Sequence, residues 1–300
     1  MRSARGGGVC ARYLWVVSAI LIGTCTTGCG GSVAIPPQPI VQPADSAPAW
    51  SPDARLIAYV HFNPVLSDTS EPSGLYVVDT TGAHRRLLVP GFPGTVDWSP
   101  DGQRLVYNDD CGLHVLTLAD GIVNDIYGGG SFPKWSPVGS TIAFDTNRRI
   151  WLISPTGENM RQAADAFPVR MPDWSADGTR LVVVEYPQTA PAGELAIIRL
   201  ADGALHEITH DSRVDEYPSW SPDNARIAWN HWSQSRYGNN LPEIWVADTS
   251  GVAARKVVSS DGTFGWHPNG RSIVFSMQAS GAIRLFAVGA DGSGLRQITH

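Results

Sequence analysis

Eight histidines are the residues of this 300-residue sequence best suited to acid–base or metal chemistry. Three of them, His61, His210 and His231, lie in segments rich in polar residues, and Asp211 follows His210 directly. Imidazole nitrogens and carboxylate oxygens are ligands of zinc and similar divalent ions. A metal-dependent enzyme would require these side chains to converge in the fold. Without that convergence, we predict no metal and no cofactor.

Nucleophilic catalysis has little support in the sequence. No G-x-S-x-G motif occurs, so the signature of a serine hydrolase is absent from these residues. Cys111 stands alone in the turn-like segment NDDCG (108–112), where a reactive thiol would need a histidine base beside it. We therefore predict no catalytic residue and interpret Cys111 as an unpaired thiol.

Another group of side chains favours binding. The segments HDSRVDEYP (210–218) and NHWSQSRYGNNLPE (230–243) place carboxylates near aromatic residues and an arginine. Trp, Tyr and Arg are the types that most often anchor protein interfaces. The alternative is that Trp232 folds back to cover its own loop. The candidate binding residues are Asp211, Asp215, Glu216, Tyr217, His231, Trp232, Arg236 and Tyr237.

These segments lie between copies of a sequence pattern that occurs six times. Each copy covers two predicted strands and is followed by two further strand-like segments. One repeat therefore contains four strands, here called first to fourth. Four antiparallel strands repeated every 37 to 48 residues are typical of β-propeller blades. We predict an all-β fold, a six-bladed β-propeller of four-stranded antiparallel blades, over residues 47–300. The copies, which define repeats 1 to 6, are AWSPDARLIAYV (49–60), DWSPDGQRLVYN (97–108), KWSPVGSTIAFD (134–145), DWSADGTRLVVV (173–184), SWSPDNARIAWN (219–230) and GWHPNGRSIVFS (265–276).

The positions that the copies share are explained by folding. Pro and Gly of S-P-D-G suit a tight turn between the first and second strands. One tryptophan per repeat supplies a large ring to be buried between neighbouring sheets. We predict that these tryptophans are structural, and they are Trp50, Trp98, Trp135, Trp174, Trp220 and Trp266.

The copies differ most between their second and third strands, in the segments 61–74, 185–194 and 230–243. Antiparallel alternation brings these connections to one side of the molecule, which we call the loop face, and the S-P-D-G turns to the other, the turn face. Binding loops on a rigid scaffold show this arrangement. Asp97, Lys134 and Asp173 precede three of the tryptophans, and we expect them to form ion pairs along a central channel. A small ligand bound in that channel is the alternative.

The N-terminus has the features of an export signal. Three arginines precede the apolar run YLWVVSAILIG (13–23), which is too short to span a bilayer comfortably. The run ends in IGTCTTGCGGS (22–32), which resembles a bacterial lipoprotein signal. Cys29 follows Gly28 and is our predicted lipidation site, with Cys25 as the alternative. We predict a signal peptide over 1–28 and a proline-rich tether over 29–46. We expect the propeller to be closed by side-chain packing and not by a shared blade, with a strand lent by the tether as the alternative.

The charge balance limits the kinds of molecule that the protein can bind. The formal net charge of −6 argues against nucleic acid, because phosphate binding needs a concentrated excess of Lys and Arg. With one cysteine left beyond residue 29, an exported domain has no internal disulfide.

The repeat line P-x-W-S-P-D-G-x-x-I-A-F, followed by I-Y-V-x-D-x-x-G and R-x-I-T, resembles the WD40-like repeat of the TolB family from Ala47 to His300. The resemblance implies a propeller, but the same repeat serves in transport accessory proteins, peptidase propellers and some polysaccharide lyases. TolB proteins carry a separate domain before the propeller, where this sequence has the tether.

We therefore predict a non-catalytic, lipid-anchored, extracytoplasmic and monomeric propeller. It would bind an envelope protein or glycan through its loop face. The alternatives are a carbohydrate-active, lyase-like enzyme that uses the histidine cluster, and a small-ligand site in the channel.

Overall fold

The computed structural model describes residues 42–65, 69–165, 168–186, 192–211, 213–232, 242–260 and 262–299. Within these ranges the chain forms β-strands and no helix. The strands are β1 (Ala44–Trp50), β2 (Leu56–Phe62), β3 (Gly74–Asp79), β4 (Arg86–Pro90), β5 (Val96–Trp98), β6 (Arg104–Asp109), β7 (Gly112–Thr117), β8 (Val123–Tyr127), β9 (Ser131–Trp135), β10 (Ile142–Thr146), β11 (Arg149–Ile153), β12 (Arg161–Gln162), β13 (Val169–Trp174), β14 (Arg180–Glu185), β15 (Glu194–Arg199), β16 (Ala204–Glu207), β17 (Val214–Trp220), β18 (Arg226–Trp232), β19 (Glu243–Asp248), β20 (Arg255–Ser259), β21 (Phe264–Trp266), β22 (Ser272–Ala279), β23 (Ala282–Gly289) and β24 (Arg296–Gln297).

The sheets follow the sequence repeat. Repeats 2, 3, 4 and 5 each form one four-stranded antiparallel sheet, from β5–β8 to β17–β20. Repeats 1 and 6 share one eight-stranded sheet, because β1 pairs with β23 in parallel, through Ala44 and Ile283. The prediction of an all-β fold built from four-stranded antiparallel sheets is confirmed. Six separate sheets are not observed, because the start of the chain is hydrogen-bonded to repeat 6.

The two ends of the described chain meet at this junction. The amide of Ile283 donates to the carbonyl oxygen of Pro43 (3.1 Å), and the Thr299 hydroxyl donates to Oδ2 of the buried Asp45 (2.7 Å). Strand β1 therefore begins inside the segment predicted as a tether. The junction uses backbone and side-chain hydrogen bonds, as expected for the alternative in which the tether lends residues to a strand.

The core lies between consecutive repeats. Each cluster of buried apolar side chains in the described residues combines side chains of two neighbouring repeats, and one cluster joins repeat 6 to repeat 1. The tryptophan of every repeat is buried within these clusters. Arginines at the start of second strands extend the contact, since Arg104 lies over Trp135 (4.8 Å) and Arg180 over Trp220 (4.8 Å). Such cation–π contacts add to the hydrophobic term.

The turns on the turn face depend on a serine and an aspartate as well as on proline and glycine. In repeat 1, Ser51 Oγ donates to Asp53 Oδ1 (2.6 Å) and accepts from the amide of Leu56 (2.9 Å). The same arrangement recurs at Ser99 with Asp101 and at Ser221 with Asp223. These bonds stabilise the carboxylates, and the serine hydrogen bond is the main cause that lowers the pKa of each.

Connection lengths distinguish the two faces. On the loop face, β2 ends at Phe62 and β3 begins at Gly74, and comparably long connections follow β14 and β18. The equivalent connections in repeats 2, 3 and 6 contain two residues each, for example 110–111. The long connections therefore lie in repeats 1, 4 and 5, and the candidate binding segments adjoin the last of them.

Candidate functional site

The candidate site lies at the loop-face end of repeat 5, where β17 and β18 pair. Their antiparallel register sets Asp215 opposite His231 and Val214 opposite Trp232. Both members of the first pair are buried, with side-chain exposures of 1% for Asp215 and 4% for His231. Two sequence-distant polar residues are thus placed together by strand pairing.

Hydrogen bonds fix the orientation of this pair. Oδ1 of Asp215 lies 2.8 Å from Nδ1 of His231 and accepts from Nε1 of Trp229 (2.9 Å). A carboxylate beside Nδ1 holds the proton there and leaves the lone pair on Nε2. The imidazole also packs against the ring of Trp245, with centroids 4.8 Å apart.

Asp211 completes a group of three. Its Oδ2 lies 4.0 Å from Nε2 of His231, and its side chain is 51% exposed. One ligand atom from each of Asp211, Asp215 and His231 lies within 4.8 Å of the other two. Among the described residues, this is the group of histidine, cysteine and carboxylate side chains with a spacing suited to a metal ion.

The electrostatics of the group follow from burial and charge. Burial lowers the pKa of His231, but the hydrogen bond that its Nδ1 donates to Asp215 and the charges of Asp215 and Asp211 outweigh it, so the pKa lies above its ordinary value. Burial raises the pKa of Asp215 more than His231 lowers it. The hydroxyl of Thr209 is close to Asp215, but its proton is donated to Glu194 (2.8 Å). Oδ2 of Asp215 is therefore buried without a hydrogen-bond partner.

The other predicted binding residues are dispersed. Glu216 is buried in β17. Tyr217 lines the central channel with a φ of 52°, 5.7 Å from the ring of Phe132. Trp232 is half-buried at the end of β18. Strand β17 therefore carries Glu216 into the interior and Tyr217 to the wall of the channel, away from the exposed Asp211. Arg236, Tyr237 and Cys29 lie outside the described residues.

The histidines proposed for an enzyme do not form one group. His61 is buried in β2, with Nδ1 2.7 Å from Asp45. His210 is exposed, and its Nδ1 lies 3.1 Å from Glu207. In the described part of the chain, the metal-ligand group contains His231 and neither of the other two. The geometric requirement of the lyase-like alternative is therefore not met.

The segment HEITH (206–210) carries the letters of the H-E-x-x-H zinc motif, a pattern that escaped the sequence reasoning. That motif binds zinc when the two histidines lie one turn apart on a helix. Here His206 and Glu207 belong to strand β16, so successive side chains alternate between its faces. The segment supplies Thr209 to the neighbourhood of Asp215 and contributes no residue to the metal-ligand group.

A second aspartate–histidine pair was also missed. Asp45 lies opposite His61 in repeat 1, as Asp215 lies opposite His231 in repeat 5. The signal was present in the sequence, since each aspartate stands five residues before the repeat tryptophan and each histidine eleven after it. The shared spacing can be recognised as a side-chain pair only when the register of the first two strands is known.

The central channel is lined by first strands. It is narrow in the middle, with a volume of about 50 Å³, and opens towards the loop face and the turn face into cavities of about 360 Å³ each. Lys134 lies 3.6 Å from Asp173, so the predicted ion pairing is observed for this pair. Asp97 accepts from the amide of Trp135 (2.7 Å), and burial is the main cause that raises its pKa to about 6.

His114 offers a contrast on the same face. Its Nε2 lies 2.8 Å from Asp109 and its Nδ1 lies 2.8 Å from Asp125. Both nitrogens are occupied, so no lone pair faces outward.

Cys111 is exposed nearby as a free thiol. No helix in the described residues is long and apolar enough to cross a bilayer.

Comparison with known proteins gives consistent matches. The family described as the TolB β-propeller domain matches residues 132–300, which is more than half of the chain. A TolB homologue of Chlorobaculum tepidum is 25% identical over 221 residues, covering 69% of this chain and 49% of the homologue. The chain spans about half or less of the curated relatives it matches, at 20% and 49% of two of them.

Solved structures agree in fold. TolB from Acinetobacter baumannii superposes with a TM-score of 0.66 at 17% identity, covering 80% of this chain and 62% of that chain. Oligogalacturonate lyase from Vibrio parahaemolyticus superposes with a TM-score of 0.56 at 11% identity, covering 86% and 78%. At these identities, the likeness concerns the architecture and carries no activity.

Proposed function

This chain belongs to the TolB β-propeller family, and from that premise we propose that it is a non-catalytic binding protein of the cell envelope. In this proposal it is exported, anchored through lipid on Cys29 and monomeric. Its ligand is a partner protein, with an envelope glycan as the second possibility. The loop face carries the interface.

The proposal includes six blades. Support comes from the buried clusters, which link every repeat to the next and repeat 6 to repeat 1. The first strands also contact one another in order, and β21 contacts β1. We interpret the eight-stranded sheet as two blades joined where the ring closes. A rigid closed ring presents its loops at fixed positions, which suits binding.

The observation that carries the proposal is the unequal length of connections on the two faces. The connections between second and third strands contain 11, 8 and 10 residues in repeats 1, 4 and 5, whereas the connections on the turn face contain four to seven residues. Apolar side chains stand exposed beside the long connection of repeat 1, with Phe92 59% and Val65 54% exposed. Trp232 marks the long connection of repeat 5. Aromatic and apolar side chains on variable loops are typical of an interface.

Binding is favoured over catalysis by the positions of the histidines. The metal-ligand group among the described residues contains His231 without His61 or His210, so the three imidazoles do not share one site. The likeness to a lyase concerns the fold alone.

The test is photo-crosslinking from position 232 in intact envelopes. A crosslinking amino acid replaces Trp232 in one form and Val138, an exposed apolar residue of the turn face, in the control form. A third form has residues 230–243 replaced by DTNRR (145–149) of repeat 3. We expect a discrete adduct from position 232 and none from position 138. With the crosslinker at position 92, we expect an adduct with the native loop and its loss with the short loop. Equal adducts from positions 232 and 138, or none from either, would refute a loop-face interface.

A further inference from the structure

We propose that Asp211 and His231 form a binding site for a divalent transition-metal ion, with Asp215 holding the imidazole in the required orientation. This departs from the expectation that the chain has no metal. It is independent of the proposed partner, because the ion is bound by the chain's own side chains.

The first step of the argument is the direction of the imidazole. Nδ1 of His231 is 2.8 Å from Asp215, which holds one ring proton there, so Nε2 is the nitrogen that can give its lone pair to a metal ion. Among the described residues, Nε2 has no hydrogen-bond partner, and Oδ2 of Asp211 lies 4.0 Å away, too far for a hydrogen bond. A cation that displaces any proton from Nε2 would lie between this nitrogen and the carboxylate and be bound by both.

The second step is distance. His nitrogen and carboxylate oxygen each bind zinc at about 2.0–2.2 Å. Tetrahedral coordination at these bond lengths places two ligand atoms about 3.3 Å apart, so the observed 4.0 Å accommodates one ion after the half-exposed Asp211 side chain moves by less than about 1 Å. Because Asp211 is half exposed, water can complete the coordination shell.

The third step is uncompensated charge. Oδ2 of Asp215 is buried and has no hydrogen-bond partner, because the Thr209 hydroxyl donates to Glu194 instead. A buried carboxylate with one unsatisfied oxygen is costly unless a positive charge lies nearby. An ion on Nε2 would supply that charge through the imidazole.

The donor set selects the kind of ion. Imidazole suits zinc and other first-row transition ions, whereas calcium takes six to eight oxygen ligands. We therefore expect Zn²⁺ to bind and Ca²⁺ not to compete with it.

The site is tested with Zn²⁺ itself, titrated calorimetrically into the full chain at neutral pH after its thiols have been alkylated. Asp211→Asn and His231→Gln remove the direct ligands, and Asp215→Asn alters only the orienting group. The matched control is Asp125→Asn, since Asp125 is also an exposed carboxylate beside a buried histidine, but His114 has no open nitrogen.

We expect one Zn²⁺ per native chain and per Asp125→Asn chain, loss of binding in Asp211→Asn and His231→Gln, and about 10–100-fold weaker binding in Asp215→Asn. A native chain that takes up no zinc overturns the proposal. So does an Asp211→Asn variant with native affinity. If His231→Gln fails to fold, Asp211→Asn decides the matter, because Asp211 is half exposed and its substitution leaves the core intact. If the native chain binds zinc but position 232 gives no crosslinked adduct, the result counts against the proposed function and not against the metal site.

Discussion

Repeats 1 and 5 set the same two residue types opposite each other and use them differently. In repeat 1, Asp45 accepts from Thr299 through Oδ2 and contacts His61 through Oδ1, so both oxygens are engaged. In repeat 5, Oδ2 of Asp215 is left without a donor. The pair in repeat 1 holds the ends of the chain together, whereas the pair in repeat 5 faces Asp211 at the surface.

A threonine near each aspartate determines whether both carboxylate oxygens are engaged. Thr299 and Thr209 both follow the fourth strand of a repeat, and each accepts an amide hydrogen bond, from Leu285 (2.9 Å) and Leu195 (2.8 Å). Thr299 donates its proton to the aspartate, while Thr209 donates to Glu194. Because Glu194 accepts the hydroxyl proton of Thr209, Oδ2 of Asp215 is left without a donor.

The largest effect is expected from Asp45→Ala. This change leaves His61 and Thr299 buried without their partner, and removing one member of a buried polar pair costs about 3–5 kcal/mol. Urea unfolding should show a lower free energy of unfolding, with Asp125→Asn as the control at an exposed carboxylate. If the two variants are equally stable, Asp45 does not hold the junction and the contrast with repeat 5 fails.

A smaller effect is expected from pH at Asp97, a half-buried carboxylate of the channel with no histidine opposite it. Its pKa of about 6 lies above the ordinary 3.8, so the folded state binds the proton more tightly. The contribution of Asp97 is therefore favourable below about pH 4 and is lost as the pH rises to about 6, by roughly 1–3 kcal/mol.

The measurement is the difference in unfolding free energy between the native chain and Asp97→Asn at pH 4 and pH 7. Asparagine can still accept from the Trp135 amide, so the variant should gain stability relative to the native chain as the pH rises. A difference that does not change with pH would show that Asp97 has an ordinary pKa.

Thr299→Val should cost about 1–2 kcal/mol, because it leaves Oδ2 of Asp45 and the amide of Leu285 without a partner. Thermal melts of this variant and of the serine variant, which keeps the hydroxyl, provide the comparison. Thr299→Ser should melt close to the native chain. A Thr299→Val variant that melts like the native chain would show that the hydroxyl does not stabilise the junction.

The smallest effect on stability is expected at Trp232. It is half-buried at a strand end, whereas Trp220 of the same repeat is fully packed between sheets. Trp220→Ala should cost about 3–5 kcal/mol and Trp232→Ala less than about 1 kcal/mol. Chemical denaturation of both variants tests this, and a similar loss in both would assign Trp232 to the core and not to an interface.

How far the sequence predicts this molecule depends on the range over which each residue acts. The repeat tryptophans and the S-P-D-G turns act within one repeat or between neighbours, so their spacing predicted the strands and their burial. Asp215 and Glu216 were misjudged as surface residues because the first strand runs on into the interior. The pairing of Asp45 with His61 depends on register, and that of Asp45 with Thr299 on contact between distant ends. Single-sequence patterns do not record either.

The junction at Pro43 and Ile283 has a mechanical consequence. Any segment that precedes residue 42 enters the sheet here, so tension along it is applied first to the Ile283–Pro43 hydrogen bond and then to the Asp45–Thr299 contact. If the protein is tethered by its N-terminus, load from the tether therefore enters the fold at the seam between repeats 1 and 6, and the site in repeat 5 belongs to a separate sheet.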